Sequence, residues 1–318
     1  MRLVMMAAAA VFAASTAHAQ TYPDKPVHVI VPFTPGSATD VVARTVAQAL
    51  SIRLGQPFVV ENRPGAGGMI GAGIVAKAAP DGYTLLVHSS GHTVNPSIYP
   101  TLTYDTAKDF VGVSLLAQQP NILVVAPSKG WKTAGDLVKA AKAEPGKLTY
   151  ASAGAGSGTH MNAEKFRVSA GIDTVHIPYK GTPEAMTDTM NGRVDYFFAP
   201  VIAALPMVRD NRLTALAVGS AKRASVLPDV PSTEEAGYPG SAYNFWVGML
   251  APAGTPSAIV ERLNKEVAAA LASPEVKERL GALGADTAPM AAVDFDKMIA
   301  QELKDNAELV KQAGITVQ

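Results

Sequence analysis

Residues 27–40 read VHVIVPFTPGSATD, and this stretch decides the fold class. Its mostly β-branched beginning predicts a buried strand, and apolar residues at a helical spacing begin at Val42. Between the strand and the helix lie three side chains typical of helix N-caps, Ser37, Thr39 and Asp40. Such a turn leaves backbone N–H groups at the helix start without partners, and together with the helix dipole they favour a carboxylate or phosphate. Taken alone, one turn of this kind is better explained as a capped strand–helix connection that binds nothing.

Two later loops repeat this construction. A glycine-rich loop at 65–71 follows a predicted strand at 57–61, and a hydroxyl-rich loop at 152–160 follows a predicted strand at 148–151. In open α/β sheets, ligands bind at the carboxyl ends of the strands, near helix N-termini. Three such loops without a basic cluster predict a site for a carboxylate held by backbone N–H groups and hydroxyls.

A dinucleotide site is the alternative interpretation of the glycine-rich loop. The spacing of Gly65, Gly67 and Gly71 superficially resembles a dinucleotide fingerprint. The next predicted strand, however, ends in Ser89-Ser90-Gly91-His92 rather than in an acidic residue that could hold a ribose. Anion binding or close backbone packing is therefore the favoured interpretation.

The length, composition and charge of the chain exclude several classes of protein. The chain has 318 residues, 48% hydrophobic and 17% charged, which is enough for two α/β lobes. Its 27 basic and 27 acidic residues give no sign of nucleic-acid binding. The lack of cysteine excludes disulfides and thiolate metal sites, and the histidines are scattered singly rather than at metal-ligand spacing. We therefore expect no metal and no cofactor.

The beginning of the chain predicts export. Arg2 is followed by a short apolar segment at 3–14 and by the small-residue cleavage pattern Ala17-His18-Ala19. This combination is typical of a secretory signal peptide, residues 1–19, with cleavage after Ala19. The apolar segment is too short to span a membrane. We expect the mature protein to be periplasmic.

The alternation of strands and helices predicts an α/β protein with two mostly parallel sheets flanked by helices. We place lobe 1 at residues 20–121 plus 247–318 and lobe 2 at residues 122–246, with hinge strands near 118–124 and 244–250. Two crossings at these strands would let the lobes close on a ligand. After the second hinge strand the pattern predicts helices and no further strand.

Six segments carry a family resemblance: YPDKPVHVIVPFTPGSATDVVAR (22–44), LGQPFVVENRPGAGGMIGA (54–72), APDGYTLL (79–86), HIPYKG (176–181), LPDVPSTEEAGYPG (227–240) and LAPAGTP (250–256). Together they resemble the Bug (TctC) family of periplasmic solute-binding receptors related to the tripartite tricarboxylate transporters. The resemblance implies a two-lobed type-II periplasmic-binding-protein fold, a Venus flytrap that closes on a small carboxylate. It also implies membrane transporter subunits as partners, and we expect a monomer that is not an enzyme.

The resemblance further implies ligand contacts from both lobes. Lobe 1 contributes its first two loops, and the first departs from the family's frequent Gly-Gly-Ser/Thr-x-Asp because it reads GSATD at 36–40. Lobe 2 contributes the hydroxyl-rich loop and the strand end at 179–180. The candidate ligand-binding residues are Phe33, Ser37, Thr39, Asp40, Gly67, Gly68, Met69, Ser89, His92, Ser152, Ser157, Thr159, His160, Tyr179, Lys180 and Asp195.

Several candidates have an alternative, structural role. Asp40 is placed to cap its helix or to pair with Arg44, four residues on. His160 is also compatible with a hydrogen-bonded helix residue, and Lys180 with a solvated charge at a strand end. Asp195 is better suited to bracing a loop than to contacting a ligand, whereas Phe33 is equally suited to covering a ligand and to packing on the core of lobe 1.

We expect an extracytoplasmic receptor that captures a dicarboxylate or an aromatic carboxylate for uptake. A ligand-sensing partner of a signalling receptor is a second interpretation of the same features. A third is an exported hydrolase that uses Ser157 with His160. The third is disfavoured because the residues around Ser157 read Gly-Ser-Gly rather than the Gly-x-Ser-x-Gly of a nucleophile elbow.

Overall fold

The computed structural model describes residues 22–312 together with 314 and 315. The expected signal peptide, residues 1–19 with cleavage after Ala19, lies outside the described residues. Within the described part of the chain, no helix combines the length and the apolar character needed to cross a membrane.

The first sheet belongs to lobe 1 and has six strands in the order β11-β4-β10-β3-β1-β2. β1 and β2 are parallel, as are β1 and β3, so their carboxyl ends lie at one edge of the sheet. The strands are β1 (Val27–Val31), β2 (Phe58–Asn62), β3 (Thr84–Ser89), β4 (Phe110–Gln119), β10 (Phe245–Pro252) and β11 (Asp286–Thr287).

The second sheet belongs to lobe 2 and has five strands in the order β7-β6-β8-β5-β9. Here β6 is parallel to both β7 and β8. The strands are β5 (Asn121–Val125), β6 (Thr149–Ser152), β7 (Val175–Pro178), β8 (Tyr196–Pro200) and β9 (Thr214–Val218).

Helices cover both faces of each sheet. In lobe 1, α1, α8 and α9 pack on one face and α2 and α10 on the other, whereas in lobe 2, α4 and α5 lie opposite α6 and α7. The described helices are α1 (Ala38–Leu54), α2 (Met69–Ala76), α3 (Asn95–Ile98), α4 (Ala134–Ala143), α5 (Gly158–Ala170), α6 (Thr182–Met190), α7 (Val201–Arg209), α8 (Ser257–Ala272), α9 (Pro274–Gly281) and α10 (Ala292–Gln312).

The two-lobed α/β architecture is confirmed, but both sheets are mixed rather than mostly parallel. β10 is antiparallel to β3 and β4, and β5 is antiparallel to β8 and β9. β5 and β10 are the strands by which the chain enters a new lobe. Both strands start at the edge of the sheet where the parallel strands of that lobe end. They therefore run in the opposite direction to those strands.

The expectation that no strand follows β10 is wrong. β11 pairs antiparallel with β4 at the edge of the first sheet. It is only two residues long, which is too short for the alternation of apolar and polar residues that reveals a strand in a sequence.

The chain passes between the sheets twice. Pro120 joins β4 of the first sheet to β5 of the second, and residues 219–244 join β9 of the second to β10 of the first. Trp246, just after the second crossing, is fully buried and packs edge-to-face on Phe295 of α10. The C-terminal helix thus packs on lobe 1 close to the crossing.

Candidate ligand-binding site

A small cavity of about 10 Å³ lies between the lobes, where strands of both sheets end. Because this volume holds about one water molecule, the lobes are closed on each other at this point. Six candidate residues line the cavity: Phe33, Ser37, Thr39, Ser89, Ser157 and Thr159. Five lining residues were not predicted: Ala38, Ala153, Thr182, Pro200 and Phe245.

The loop between β1 and α1 is fixed by hydrogen bonds inside lobe 1. Ser37 is the N-cap of α1, and its Oγ accepts from the N–H of Asp40 at 3.4 Å. The Asp40 carboxylate accepts from the N–H of Gly36 at 2.9 Å, from Arg44 Nε at 3.0 Å and from Asn62 Nδ2 at 2.8 Å. Asp40 is therefore fully engaged in holding the loop and does not line the cavity.

The glycine-rich loop follows β2 and is shaped by close packing. Gly67 and Gly68 have φ of 58° and 97°, in the left-handed region that favours glycine. A Cβ on Gly67 would lie 2.1 Å from the carbonyl oxygen of Ala155 in lobe 2, and one on Gly68 would lie 2.3 Å from His88 Nε2. Met69, which follows, packs against the apolar core of lobe 1. Gly67 therefore lies at the contact between the lobes, Gly68 and Met69 pack within lobe 1, and none of the three is among the cavity-lining residues.

The hydroxyl-rich loop between β6 and α5 is held together by its own side chains. Ser157 is the N-cap of α5, and its Oγ accepts from the N–H of His160 at 3.3 Å and lies 2.9 Å from Thr159 Oγ1. Thr159 Oγ1 also accepts from the N–H of Ala153 at 2.9 Å. Ser152 is fully buried below the loop, where its Oγ accepts from the N–H of Gly154 at 3.0 Å. Ser157 and Thr159 thus reach the cavity, and Ser152 supports them.

His160 belongs to a buried stack of rings that the sequence did not indicate. Its ring centroid lies 4.0 Å from that of His176, and Tyr150 stacks on His176 at 4.9 Å. Burial lowers the pKa of His160 to about 4 and that of His176 to about 3, so both rings are neutral at pH 7. His160 Nδ1 accepts from the N–H of Gly156 at 3.1 Å. The imidazole therefore supports the loop and is not arranged as a base for the Ser157 hydroxyl.

The structure does not bring His92 to the cavity. It lies in the interior of lobe 1, fully buried, with its ring edge-to-face on Phe110 at 4.8 Å and stacked on Tyr104 at 6.2 Å. Burial holds its pKa well below the ordinary value. We therefore remove His92 from the candidate ligand-binding residues.

Three further candidates, at the end of β7 and the start of β8, are not among the residues that line the cavity: Tyr179, Lys180 and Asp195. Tyr179 donates its hydroxyl to Asp188 at 2.8 Å, and Lys180 is exposed. Asp195 precedes β8 and pairs with Lys129, whereas Pro200 at the other end of β8 lines the cavity. Asp195 thus braces a loop and Lys180 is a solvated charge, as their alternative roles predicted. We remove Tyr179, Lys180 and Asp195 from the candidate ligand-binding residues.

Six hydroxyl side chains and no charged side chain are among the residues that line the cavity in the described part of the chain. Four helices begin at it, with the N-caps Ser37 (α1), Ser157 (α5), Gly181 (α6) and Pro200 (α7). Helix N-termini favour an anion through free N–H groups and the helix dipole. Phe33 and Phe245 add apolar walls. This arrangement suits an anion with an aliphatic body.

Two α/β lobes that enclose such a cavity at the ends of their strands define a solute-binding protein of the Venus-flytrap class. The chain belongs to the TctC family: the model of the tripartite tricarboxylate transporter family receptor matches residues 42–315. The predicted family is thereby confirmed.

Three similar solved structures extend this assignment. The periplasmic binding protein BugD is 35% identical with a TM-score of 0.89, and the match covers 93% of this chain and 100% of that one. Rpa4515 of R. palustris, solved with adipate, is 36% identical with a TM-score of 0.90 over 93% of this chain and 100% of that one. MatC from Rhodopseudomonas palustris, solved with bound malate, is 34% identical with a TM-score of 0.87 over 91% of this chain and 100% of that one. The protein is therefore a periplasmic solute-binding receptor of this family.

Proposed function

We propose that the protein captures a small dicarboxylate between its lobes and delivers it to the membrane subunits of a tripartite tricarboxylate transporter. The observation that carries the proposal is the convergence of hydroxyls and helix N-termini from both lobes on one uncharged cavity. Lobe 1 presents Ser37, Thr39 and Ser89, and lobe 2 presents Ser157, Thr159 and Thr182. A ligand with a carboxylate at each end would engage both sets of donors.

The chemistry of the site and the similar structures support a dicarboxylate over an aromatic monocarboxylate. The donors on both sides of the cavity suit a ligand with two anionic ends, and Phe33 and Phe245 suit the carbon chain between them. Adipate and malate, the ligands in two similar structures, are both dicarboxylates. Neutral donors hold a carboxylate by charge-assisted hydrogen bonds, which are stronger than hydrogen bonds between neutral groups.

Ligand entry requires the lobes to separate, because the closed cavity of about 10 Å³ admits no organic acid. We propose that they rotate about the two crossings, at the predicted hinge strands near 118–124 and 244–250. Residues 20–121 plus 247–318 would then move as lobe 1 and residues 122–246 as lobe 2. A ligand that contacts both lobes stabilises the closed state by its contacts to the second lobe.

Isothermal titration calorimetry tests the proposal. The mature protein is unfolded, freed of any bound solute, refolded and titrated with adipate, malate, benzoate and the uncharged 1,6-hexanediol. We expect saturable binding of at least one dicarboxylate, weaker binding of benzoate and no binding of the diol. Failure of every dicarboxylate in a panel of increasing chain length, with circular dichroism showing folded protein, would contradict the proposal.

A further inference from the structure

Gly156 occupies a central position in the hydroxyl-rich loop of lobe 2. It directly precedes Ser157, which lines the cavity between the lobes. It also lies against lobe 1, because a Cβ on Gly156 would be 2.9 Å from Asn95 Oδ1, and a Cβ on Gly91 would be 2.8 Å from the Gly156 carbonyl oxygen. The position of Gly156 therefore affects both a cavity-lining hydroxyl and the fit between the lobes.

The backbone N–H of Gly156 is held by the imidazole of His160. It donates to Nδ1 at 3.1 Å, and His160 is only 3% exposed. Because a backbone N–H can only donate, Nδ1 carries a lone pair here and the proton of the neutral ring lies on Nε2. A proton added to Nδ1 would place two donors face to face. The bond that holds Gly156 would then be lost.

His176 of β7 fixes the ring of His160 from below. The two rings are stacked, with 4.0 Å between their centroids and 13° between their planes. His176 Nε2 also lies 2.6 Å from Ser152 Oγ, which accepts from the N–H of Gly154 at 3.0 Å. The histidine pair thus supports the loop at two of its backbone N–H groups. Two positive charges on rings this close would repel each other, so the pair does not hold two protons.

The surroundings of the histidine pair disfavour a charge on His160. The titratable groups on the elements packed around it are Tyr150 (β6), Glu164 and Arg167 (α5), Tyr196 (β8), and His92 and Tyr99 of lobe 1. Burial raises the pKa of the three tyrosines and lowers that of His92, so these groups stay neutral between pH 4 and pH 7. Glu164 and Arg167 are paired with each other at 2.8 Å. Burial, followed by the Arg167 charge, lowers the pKa of His160 to about 4.

We propose that His160 is a positioning residue for ligand binding, which holds Gly156 and with it the Ser157 hydroxyl in place only while its ring is neutral. The inference rests on the proposed function, because it concerns the same site. Opening of the lobes would remove Gly91 and Asn95 from the loop and make the ring easier to protonate. Acid therefore opposes both the arrangement of the loop and the closure that depends on it.

The arrangement of the loop is tested without any ligand. ¹H–¹⁵N spectra of the refolded, ligand-free mature protein follow the amides of Gly156 and Ser157 and the ring nitrogens of His160 from pH 7 to pH 3.5. We expect an unprotonated Nδ1 at pH 7, and amide shifts that titrate together with the ring. A proton on Nδ1 at pH 7, or a Gly156 amide that does not follow the ring, would overturn the proposal. Because no dicarboxylate is added, this result is independent of whether the proposed function holds.

Two variants separate the acceptor from the ring. His160→Asn places an amide oxygen where Nδ1 accepts and cannot be protonated, whereas His160→Phe keeps a stacked ring but leaves the Gly156 N–H without its acceptor. At pH 7 we expect His160→Phe to bind malate and adipate about two- to tenfold more weakly than His160→Asn, the effect of one neutral hydrogen bond. Calorimetry measures the affinities, and circular dichroism shows whether each variant is folded. Equal affinities of the two folded variants would overturn the role of the acceptor.

The pH profile supplies a readout that a merely structural residue would not change. Between pH 7 and pH 4.5 the wild type should lose about threefold or more affinity beyond the loss in His160→Asn. Protonation of the ligand is common to both proteins and cancels in the comparison. His28→Asn is the matched control, because His28 pairs with Glu61 on the surface of lobe 1, and it should follow the wild type. Parallel profiles of the wild type and His160→Asn, or wild-type binding that gains on His160→Asn in acid, would refute the proposal.

Discussion

The hydroxyl of Tyr99 in lobe 1 donates a hydrogen bond of 2.9 Å to the carbonyl oxygen of Ala155 in lobe 2. A second polar contact between the lobes joins Thr34 Oγ1 to Glu184 at 3.1 Å. Both lie close to the cavity, because Ala155 belongs to the loop that leads into α5 and Glu184 to the first turn of α6. The closed state is therefore stabilised by contacts that do not involve a ligand.

Tyr99→Phe removes the first of these contacts with little change in volume. We expect the variant to populate the open state more and to bind a dicarboxylate about two- to tenfold more weakly, since one neutral hydrogen bond contributes roughly 0.5–1.5 kcal/mol. Small-angle scattering measures the opening and calorimetry the affinity. Tyr83→Phe is the matched control, because the Tyr83 hydroxyl bonds to Asp24 within lobe 1. An equal effect of the two variants would show that Tyr99 does not act through closure.

Gly67→Ala tests whether the glycine-rich loop serves closure. The new Cβ would lie 2.1 Å from the Ala155 carbonyl oxygen, so the lobes could not reach the closed state. Gly55→Ala is a close control, because Gly55 has a similar φ of 69° but no atom within 4 Å of an added Cβ. Both variants lose about 1–2 kcal/mol of stability through left-handed backbone strain. We expect only Gly67→Ala to lose most of its dicarboxylate affinity, and retention of that affinity would contradict the closure role.

Thr182→Val tests the ligand contact that the sequence did not indicate. Thr182 begins α6, is buried and lines the cavity from lobe 2. Loss of its hydroxyl is expected to weaken dicarboxylate binding by about 1.5–3 kcal/mol, the contribution of a hydrogen bond to a charged group. Thr189→Val, on the same helix, removes a hydroxyl that donates to the Ala185 carbonyl oxygen within α6. Calorimetry should show wild-type affinity for this second variant, and a shared loss would point to a general effect on α6.

The fold was predictable because most strands are long enough to show their apolar pattern. Glycine, proline and helix-capping residues also mark where these strands end. The loops at strand ends likewise identified Ser37, Thr39, Ser157 and Thr159 as cavity residues. The same reasoning selected the residues directly after β7, whereas the polar side chain that reaches the cavity is Thr182. Gly181 packs against Thr34 so closely that an added Cβ would lie 1.9 Å from its Oγ1, and this contact is tertiary.

Asp195 and His92 show why the remaining site residues could not be predicted. Asp195 lies at the amino end of β8, but the direction of a strand relative to the cleft depends on which strands pair. His92 looks like a polar residue at a strand end, yet it is fully buried among Phe110, Tyr104 and His88. Pairing and burial both arise from contacts between distant segments, which a local pattern does not contain.

Glu302 should make stability depend on pH near the second crossing. It lies on α10, and its carboxylate accepts from Trp246 Nε1 at 2.8 Å and from Thr93 Oγ1 at 3.1 Å. Burial raises its pKa from the ordinary 4.5 to about 6. Between these values the folded state binds more protons than the unfolded state, so this group lowers the stability as the pH rises. At about 1.4 kcal/mol per pH unit, the effect amounts to about 2 kcal/mol by pH 7.

Urea unfolding of the wild type and of Glu302→Gln at pH 4 to 7, followed by circular dichroism, measures this effect. Buried neutral histidines such as His160 and His176 act in the opposite direction, because their lowered pKa values make the folded state lose stability as the pH falls below 6.5. The difference between variant and wild type cancels their contribution. We expect this difference to rise by about 2 kcal/mol in favour of the variant from pH 4 to pH 7. The exposed Glu308→Gln should show no such rise, and a difference for Glu302→Gln that stays flat would mean that its carboxyl titrates as if exposed to solvent.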